Sequence, residues 1–236
     1  MPFVNYAHRG ASTYAPENTL RSFYMGLEMK ANGIETDIQR TSDGTLVLFH
    51  DDTMERITGD KGAISDFTYE ELLKKDFGIF KGEAFANEKI VTLKDFLIYF
   101  GGKGLHLSLE IKQKGVEADS LRMVEKYATN SNVIWTSFLW DSVVELRKCS
   151  PTAKIGYLTY SITNEILDQL EAHHIDQICP ETVRVSPEDM KLAESRGFTV
   201  RFWGIKDEEL MMKALSLGGY GMTVNFPDKL HQALTK

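Results

Sequence analysis

Cysteine is scarce in this 236-residue sequence: it has only Cys149 and Cys179, with no C-x-x-C pair. Two thiols are too few for a disulfide scaffold or a zinc site. Both are therefore expected to be small buried side chains in a reducing compartment. Long apolar runs are missing as well. Nothing approaches the roughly 18 apolar residues of a membrane helix, so no stable membrane insertion is expected. The opening segment MPFVNYAHRG has neither the basic segment nor the apolar core of a secretory signal, and the cytoplasm is the expected location. Positive charge is not in excess either. The 27 Lys and Arg against 34 Asp and Glu leave a formal net charge of -7, which argues against non-specific binding to nucleic acid or to an anionic membrane. An acidic balance is compatible with carboxylates gathered around a divalent cation. No feature specifies an oligomeric state.

What is present is ordinary for a globular protein. A hydrophobic fraction of 42% and a charged fraction of 26% allow a sizeable core without disulfides. The length suits one α/β barrel domain over 1–236. Apolar runs and helical patterns alternate almost from end to end. FVNYAH (3–8) reads as a strand, and 19–31 as an amphipathic helix with Asn18 as its N-cap. IETDIQ and LVLFHD (46–51) follow, joined by RTSDGT, which is too short for a parallel crossover and so makes a hairpin. Residues 52–104 hold two helices and no convincing strand, and read as an insertion. Strand-like runs return at 105–111, 133–138, 154–160, 176–181, 199–205 and 220–226, with helical patterns between them. Excusing the hairpin strand leaves eight parallel strands, and the expected fold is a (βα)8 barrel with a hairpin after strand 2.

Barrel active sites form at the C-terminal ends of the strands. Those ends carry His8 and Arg9, Glu35 and Asp37, His50, Glu110 and Lys112, Glu181, Trp203 and Asn225. Glu35 and Asp37 share a face by period two, and so do Glu110 and Lys112. Charges in strands buried on both faces cost several kcal/mol unless paired or metal-bound. If the hairpin turns near Asp43 and Gly44, Asp37 lies opposite or nearly opposite His50, with Cβ atoms about 5 Å apart. Glu35, Asp37 and Glu110 form an all-oxygen set suited to one divalent cation, Mg2+ or Ca2+. His8 and His50 are candidates for a general acid/base pair, and Arg9 and Lys112 for holding a phosphate. Together they suggest phosphoryl-transfer or phosphodiester chemistry. His106, His173 and His174 gain no such support and read as structural.

At these residues the sequence resembles the glycerophosphodiester phosphodiesterase family. The matching pieces are HRG with PENTLRSF, IETDIQRTSDGTLVLFHDDTMERITG, LSLEIK, SF at 137–138, FW at 202–203, and VNFPD near the end. They occur in family order over nearly the whole chain. The resemblance implies a metal-dependent hydrolase that cleaves glycerophosphodiesters to sn-glycerol 3-phosphate and an alcohol such as choline. It carries metal ligation to Glu35, Asp37 and Glu110, catalysis to His8 and His50, and phosphate contacts to Arg9 and Lys112. It also implies that Asn18 orients His8 or a ligand group, with Trp203 as a further substrate contact. Two departures stand out. Gly204 and Ile205 replace the usual Thr-Val after the tryptophan, and Asn225 stands where an aspartate is usual. The rival readings are a lysophospholipase D or phospholipase C-like enzyme acting on lipids, and a catalytically silent barrel that binds phosphorylated ligands. The first would use the apolar residues of the insertion, Phe67, Tyr69, Phe77, Ile79, Phe80 and Phe85, as a lipid-facing surface.

Overall fold

The computed structural model describes residues 3–129 and 131–235, and its first regular element is the strand expected at the start, β1 (Val4–His8). Then come α1 (Leu20–Glu28), β2 (Gly33–Arg40), β3 (Leu46–Leu48), two short helices α2 (Glu55–Thr58) and α3 (Tyr69–Leu73), and α4 (Leu93–Phe100). From there strands and helices alternate: β4 (His106–Ile111), α5 (Glu117–Tyr127), β5 (Asn132–Ser137), α6 (Trp140–Cys149), β6 (Lys154–Thr159) and α7 (Asn164–Ala172). β7 (Gln177–Pro180), α8 (Pro187–Ser195), β8 (Thr199–Ile205), α9 (Glu208–Leu217), β9 (Gly221–Val224) and α10 (Pro227–Leu234) complete the order.

Eight of the strands pair in parallel in the order β1-β9-β8-β7-β6-β5-β4-β2, and β1 closes the ring by pairing with β2. This is the expected (βα)8 barrel. β3 is the ninth strand and runs antiparallel to β2, as the short connection required. Its register places Leu48 opposite Ile38, and Phe49 N–H donates to Asp37 O at 3.0 Å. Phe49 rather than His50 is thus the residue facing Asp37, one position from the expected pairing. The chain leaves the strand before His50, pinned there by Gln39 Nε2, which donates to the carbonyls of Phe49 (3.1 Å) and Asp51 (2.9 Å).

The stretch 52–104 divides between two cores. Val47, Phe49, Met54, Ile57, Ile64, Leu72, Phe77 and Ile90 form a separate cluster under the short helices. α4 instead belongs to the main core. Its Phe96 and Phe100 pack against Phe23 of α1, with ring centroids 5.0 and 5.6 Å apart in edge-to-face geometry. All three rings are fully buried. Phe96→Ala is therefore expected to cost about 3–5 kcal/mol in urea unfolding, with an unchanged denaturant slope. A loss below about 1 kcal/mol would contradict this packing.

Two local expectations are corrected. The N-cap of α1 is Thr19, whose hydroxyl accepts from Ser22 N–H (3.2 Å), because the Asn18 side chain is engaged elsewhere. Cys179 is buried in β7, but Cys149 is exposed at the end of α6, whose core face is spent on Val143 and Leu146. Among the described residues no helix is long and apolar enough to cross a membrane.

Candidate active site

Strand register assembles the site. β1 and β2 align His8 with Glu35, and β2 and β4 align Asp37 with Glu110, so the four groups lie on neighbouring strands at and just beyond the level where β1 ends. All three carboxylates are buried: Glu35 is 3% exposed, Asp37 0% and Glu110 7%. One oxygen from each lies within 4.8 Å of the other two.

The turn after β1 is built to aim Arg9. Arg9 adopts φ 54°, a left-handed conformation rare for a side chain with a Cβ, and is held there by three backbone contacts. Its N–H donates to Glu35 O (2.9 Å), and its carbonyl accepts from Asn18 N–H (3.0 Å) and from the Ser22 hydroxyl (2.8 Å). Gly10 follows at φ 86°, and a Cβ on it would meet Ser22 Oγ at 2.4 Å, so only glycine fits. The guanidinium then bridges Glu17 (2.8 Å) and Asp37 (3.2 Å). Asn18, also left-handed, donates from Nδ2 to Asp37 Oδ2 (3.0 Å) while its carbonyl accepts from Thr36 (2.7 Å). Its contact is thus a carboxylate, not His8.

The two histidines are backed differently. His8 Nδ1 lies 2.6 Å from Asn225 Oδ1, which also accepts from the Ser12 hydroxyl at 3.0 Å. With an amide oxygen as acceptor, Nδ1 carries the proton and Nε2 presents its lone pair, 3.8 Å from Glu35 Oε2. His50 Nδ1 lies 2.7 Å from the Asp51 carboxylate, so it also donates there and leaves Nε2 free. Arg56 bridges Asp51 (2.6 Å) and Glu17 (2.7 Å), tying the insertion to the turn that carries Arg9.

The electrostatics divide the carboxylates of the site. Burial, then Asp37 and Glu110, raise Glu35 well above the usual carboxylate range. Burial and then Asp37 push Glu110 up to about 7, against the pull of Lys112 at 3.0 Å. Burial acts on Asp37 too, but Arg9, His50 and Lys112 outweigh it and hold the group low. Burial and the Arg9 guanidinium lower His8, which favours the neutral imidazole. Burial would likewise raise Asp51, but Arg56 and His50 hold it at about 2.

A divalent cation fits this set. Glu35 Oε2 and Asp37 Oδ1 are buried with no hydrogen-bond partner, and two of the three carboxylates resist ionising beside the third. A cation held by Glu35, Asp37 and Glu110 removes both penalties, and an all-oxygen donor set selects a hard ion.

A cavity of about 280 Å3 opens over the trio, lined by His8, Arg9, His50, Phe138, Trp203 and Lys206 among others. Trp203 N–H donates to the carbonyls of Thr159 and Cys179, both at 3.0 Å, which fixes the ring. Gly204 has φ 77° at a register shift between β8 and β9, and a Cβ there would press on Glu181 at 3.2 Å. The bulge itself thus accounts for glycine at this position. Sequence reading missed Glu17, Asp51, Arg56 and above all Arg201. This arginine of β8 is 1% exposed, lines the cavity, and donates to Thr223. An arginine inside an apolar run of a barrel strand was the available signal. A larger cavity of about 580 Å3 lies at the opposite end of the barrel around His106, whose Nδ1 contacts Tyr220 OH at 3.1 Å. It contains none of the carboxylates above. His173 ends α7, its Nδ1 donating to Gln169 O (3.0 Å) and its ring lying edge-to-face with Trp140.

Comparison with known proteins adds independent findings. The model of the glycerophosphoryl diester phosphodiesterase family matches residues 8–229. A glycerophosphodiester phosphodiesterase of Caldanaerobacter subterraneus subsp. tengcongensis is 33% identical over 98% of this chain and 97% of its own length. An Oleispira antarctica phosphodiesterase, solved in complex with the product sn-glycerol-3-phosphate, superposes with a TM-score of 0.93 at 27% identity. That match covers 100% of this chain and 98% of the other. A solved structure from Galdieria sulphuraria gives 0.88 at 26% identity with the same coverage.

Proposed function

The chain belongs to the glycerophosphoryl diester phosphodiesterase family, and from that premise we propose that it hydrolyses glycerophosphodiesters to sn-glycerol 3-phosphate and an alcohol with a divalent cation and two histidines. The observation that carries this reading is the buried carboxylate trio within 4.8 Å, flanked by two histidines whose Nδ1 atoms are both engaged.

Glu35, Asp37 and Glu110 would hold Mg2+ or Ca2+, which supplies a Lewis acid to neutralise a non-bridging phosphate oxygen. Arg9 and Lys112, each already turned toward a carboxylate of the trio, add positive charge where the phosphate sits. Arg201 lies beneath, and its charge offsets that of Glu35. Asn18 orients Asp37, and Trp203 and Phe138 exclude water from one wall.

The two histidines divide the proton transfers. His8, backed by an amide and kept neutral beside Arg9, accepts a proton at Nε2 from the attacking oxygen. His50, backed by the Asp51 carboxylate, holds a proton at Nε2 and gives it to the departing alkoxide. The attacking oxygen is that of water or of the substrate's own glycerol 2-hydroxyl. The sparse thiols suit a reducing compartment, and the cytoplasm is the proposed location. Release of sn-glycerol 3-phosphate from glycerophosphocholine, read through glycerol-3-phosphate dehydrogenase, tests the reading. No release with Mg2+ or Ca2+ supplied would overturn it in favour of a silent phosphate-binding barrel.

A further inference from the structure

The aromatic residues of the insertion are spent on packing. Phe77 is buried, Phe67, Tyr69 and Phe80 lie against the second cluster, and Phe85 sits 5.0 Å under the Arg21 guanidinium. The space that packing leaves open lies at the far end of the barrel, where the cavity of about 580 Å3 exceeds the one of about 280 Å3 over the carboxylates. Strand starts ring it: His106 opens β4, Lys154 opens β6, Gln177 opens β7 and Thr199 opens β8. Barrel interiors are ordinarily filled by side chains, and residues at this end ordinarily serve stability. A ligand-sized hollow there, with polar groups converging beside an apolar wall, has the form of a binding site.

The two cavities are separate, and they share no lining residue. Between them stand the buried Tyr6 ring, which lines the larger, and the Arg201 guanidinium 5.4 Å from it, which lines the smaller. A substrate over the carboxylate trio is thus walled off from the far cavity.

Most of the charge around the far cavity is already committed. Arg196 is held by Asp168 (2.7 Å) and Glu171 (2.8 Å), and Asp176 by Arg147 (2.8 Å) and the Ile155 N–H (2.9 Å). Lys154 is the lining charge with no ion-pair partner among the described residues. Burial, then the nearby Lys154 ammonium, lower His106 and keep its imidazole neutral. The Tyr220 hydroxyl lies 3.1 Å from His106 Nδ1, and as donor there it leaves the ring proton on Nε2. Lys154 and His106 therefore offer two donors to one acceptor. Beside them Val133, Ile175 and Phe198 present carbon. The Tyr6 and Tyr220 rings stand edge-to-face to His106, with centroids 6.4 and 6.1 Å away, and extend the wall.

We propose that this far cavity is a second ligand site, taking a small aromatic carboxylate whose charge meets Lys154 and His106 while its flat body lies against Ile175 and Phe198. It binds and does not catalyse, since its own carboxylates are committed to Arg147 and Arg196. The site is independent of the reaction proposed above.

The test is calorimetric titration of 2-naphthoate, and of the neutral 2-naphthamide, into the wild type, Lys154→Glu and Lys206→Glu. Lys154 is exposed at a strand start, so its replacement should leave the fold and the turnover of glycerophosphocholine unchanged. One naphthoate is expected to bind per chain. Lys154→Glu should weaken it about tenfold, and the amide should bind the wild type about tenfold more weakly, the factor lost with one charge-assisted hydrogen bond. Lys206→Glu, on the catalytic cavity, should leave the affinity unchanged. Absence of saturable binding overturns the proposal, as does undiminished affinity in Lys154→Glu. Equal affinity for acid and amide also overturns it, because the cavity then selects carbon and not charge. A loss in Lys206→Glu alone overturns it by placing the anion over the carboxylate trio.

Discussion

His50→Ala is expected to lower kcat on glycerophosphocholine by about 10^2- to 10^4-fold, and His8→Ala by a similar factor. The expectation comes from what each imidazole is attached to. His50 is placed by its Asp51 contact and by Gln39, which holds the chain on either side of it. Removing the ring leaves Asp51 and Arg56 paired, so the site keeps its shape while losing a proton donor. His8 is held by Asn225, which also accepts from Ser12, and stands beside Glu35. Because both serve one displacement, the double variant should be little slower than the worse single one. Both rings are partly exposed, so unfolding midpoints should move little. Near-normal turnover in either single variant, by the coupled dehydrogenase assay, would contradict the assigned roles.

Glu35→Gln is expected to abolish most activity, by about 10^2-fold or more, while leaving the metal-free protein as stable as the wild type at neutral pH. Burial and its neighbours already keep this carboxyl above the usual range, and a glutamine has nearly the same shape as a neutral glutamic acid. The sign of the pH dependence follows from the same shift. Glu110 titrates near 4.5 when unfolded and at about 7 when folded, so the folded state binds the extra proton between those values. Stability of the metal-free wild type should therefore fall as pH rises from 4.5 toward 7, the reverse of a salt-bridged carboxylate. A divalent cation at about a hundredfold above its dissociation constant should add about 2.7 kcal/mol to the wild type, and much less to the glutamine variant. Thermal unfolding with and without Mg2+ or Ca2+ checks both halves. An equal gain in the two proteins would remove Glu35 from the cation site.

The barrel was legible because alternation of apolar runs with helical patterns leaves few topologies, and RTSDGT permitted only a hairpin at one point. The candidate trio was legible because ETD and EIK put charge into strands that are apolar elsewhere. The pairing of His50 was off by one residue because a strand ending at Leu48 cannot be told from one ending at Phe49 by pattern alone. The real edge is set by Leu48 N–H donating to Val91 O (2.9 Å), a residue deep inside the insertion. The last helix of the insertion was legible, but not the core it serves, since Leu93, Phe96, Leu97 and Phe100 read identically whether they face a satellite cluster or the barrel. Asn18 looked like a cap because asparagine before a helix usually is one. Its left-handed backbone and its tie to Asp37 depend on a strand that arrives later in the chain. Arg201 was passed over for a similar reason. A cation inside a barrel makes sense only once Glu35 is known to lie near it.

The proposed centre stands or falls on one assay: sn-glycerol 3-phosphate release from glycerophosphocholine before chelation, after chelation, and after Mg2+ or Ca2+ is returned. The expected result is turnover, its loss on chelation, and its recovery with the cation. Turnover that survives complete removal of divalent ions would contradict the role given to Glu35, Asp37 and Glu110.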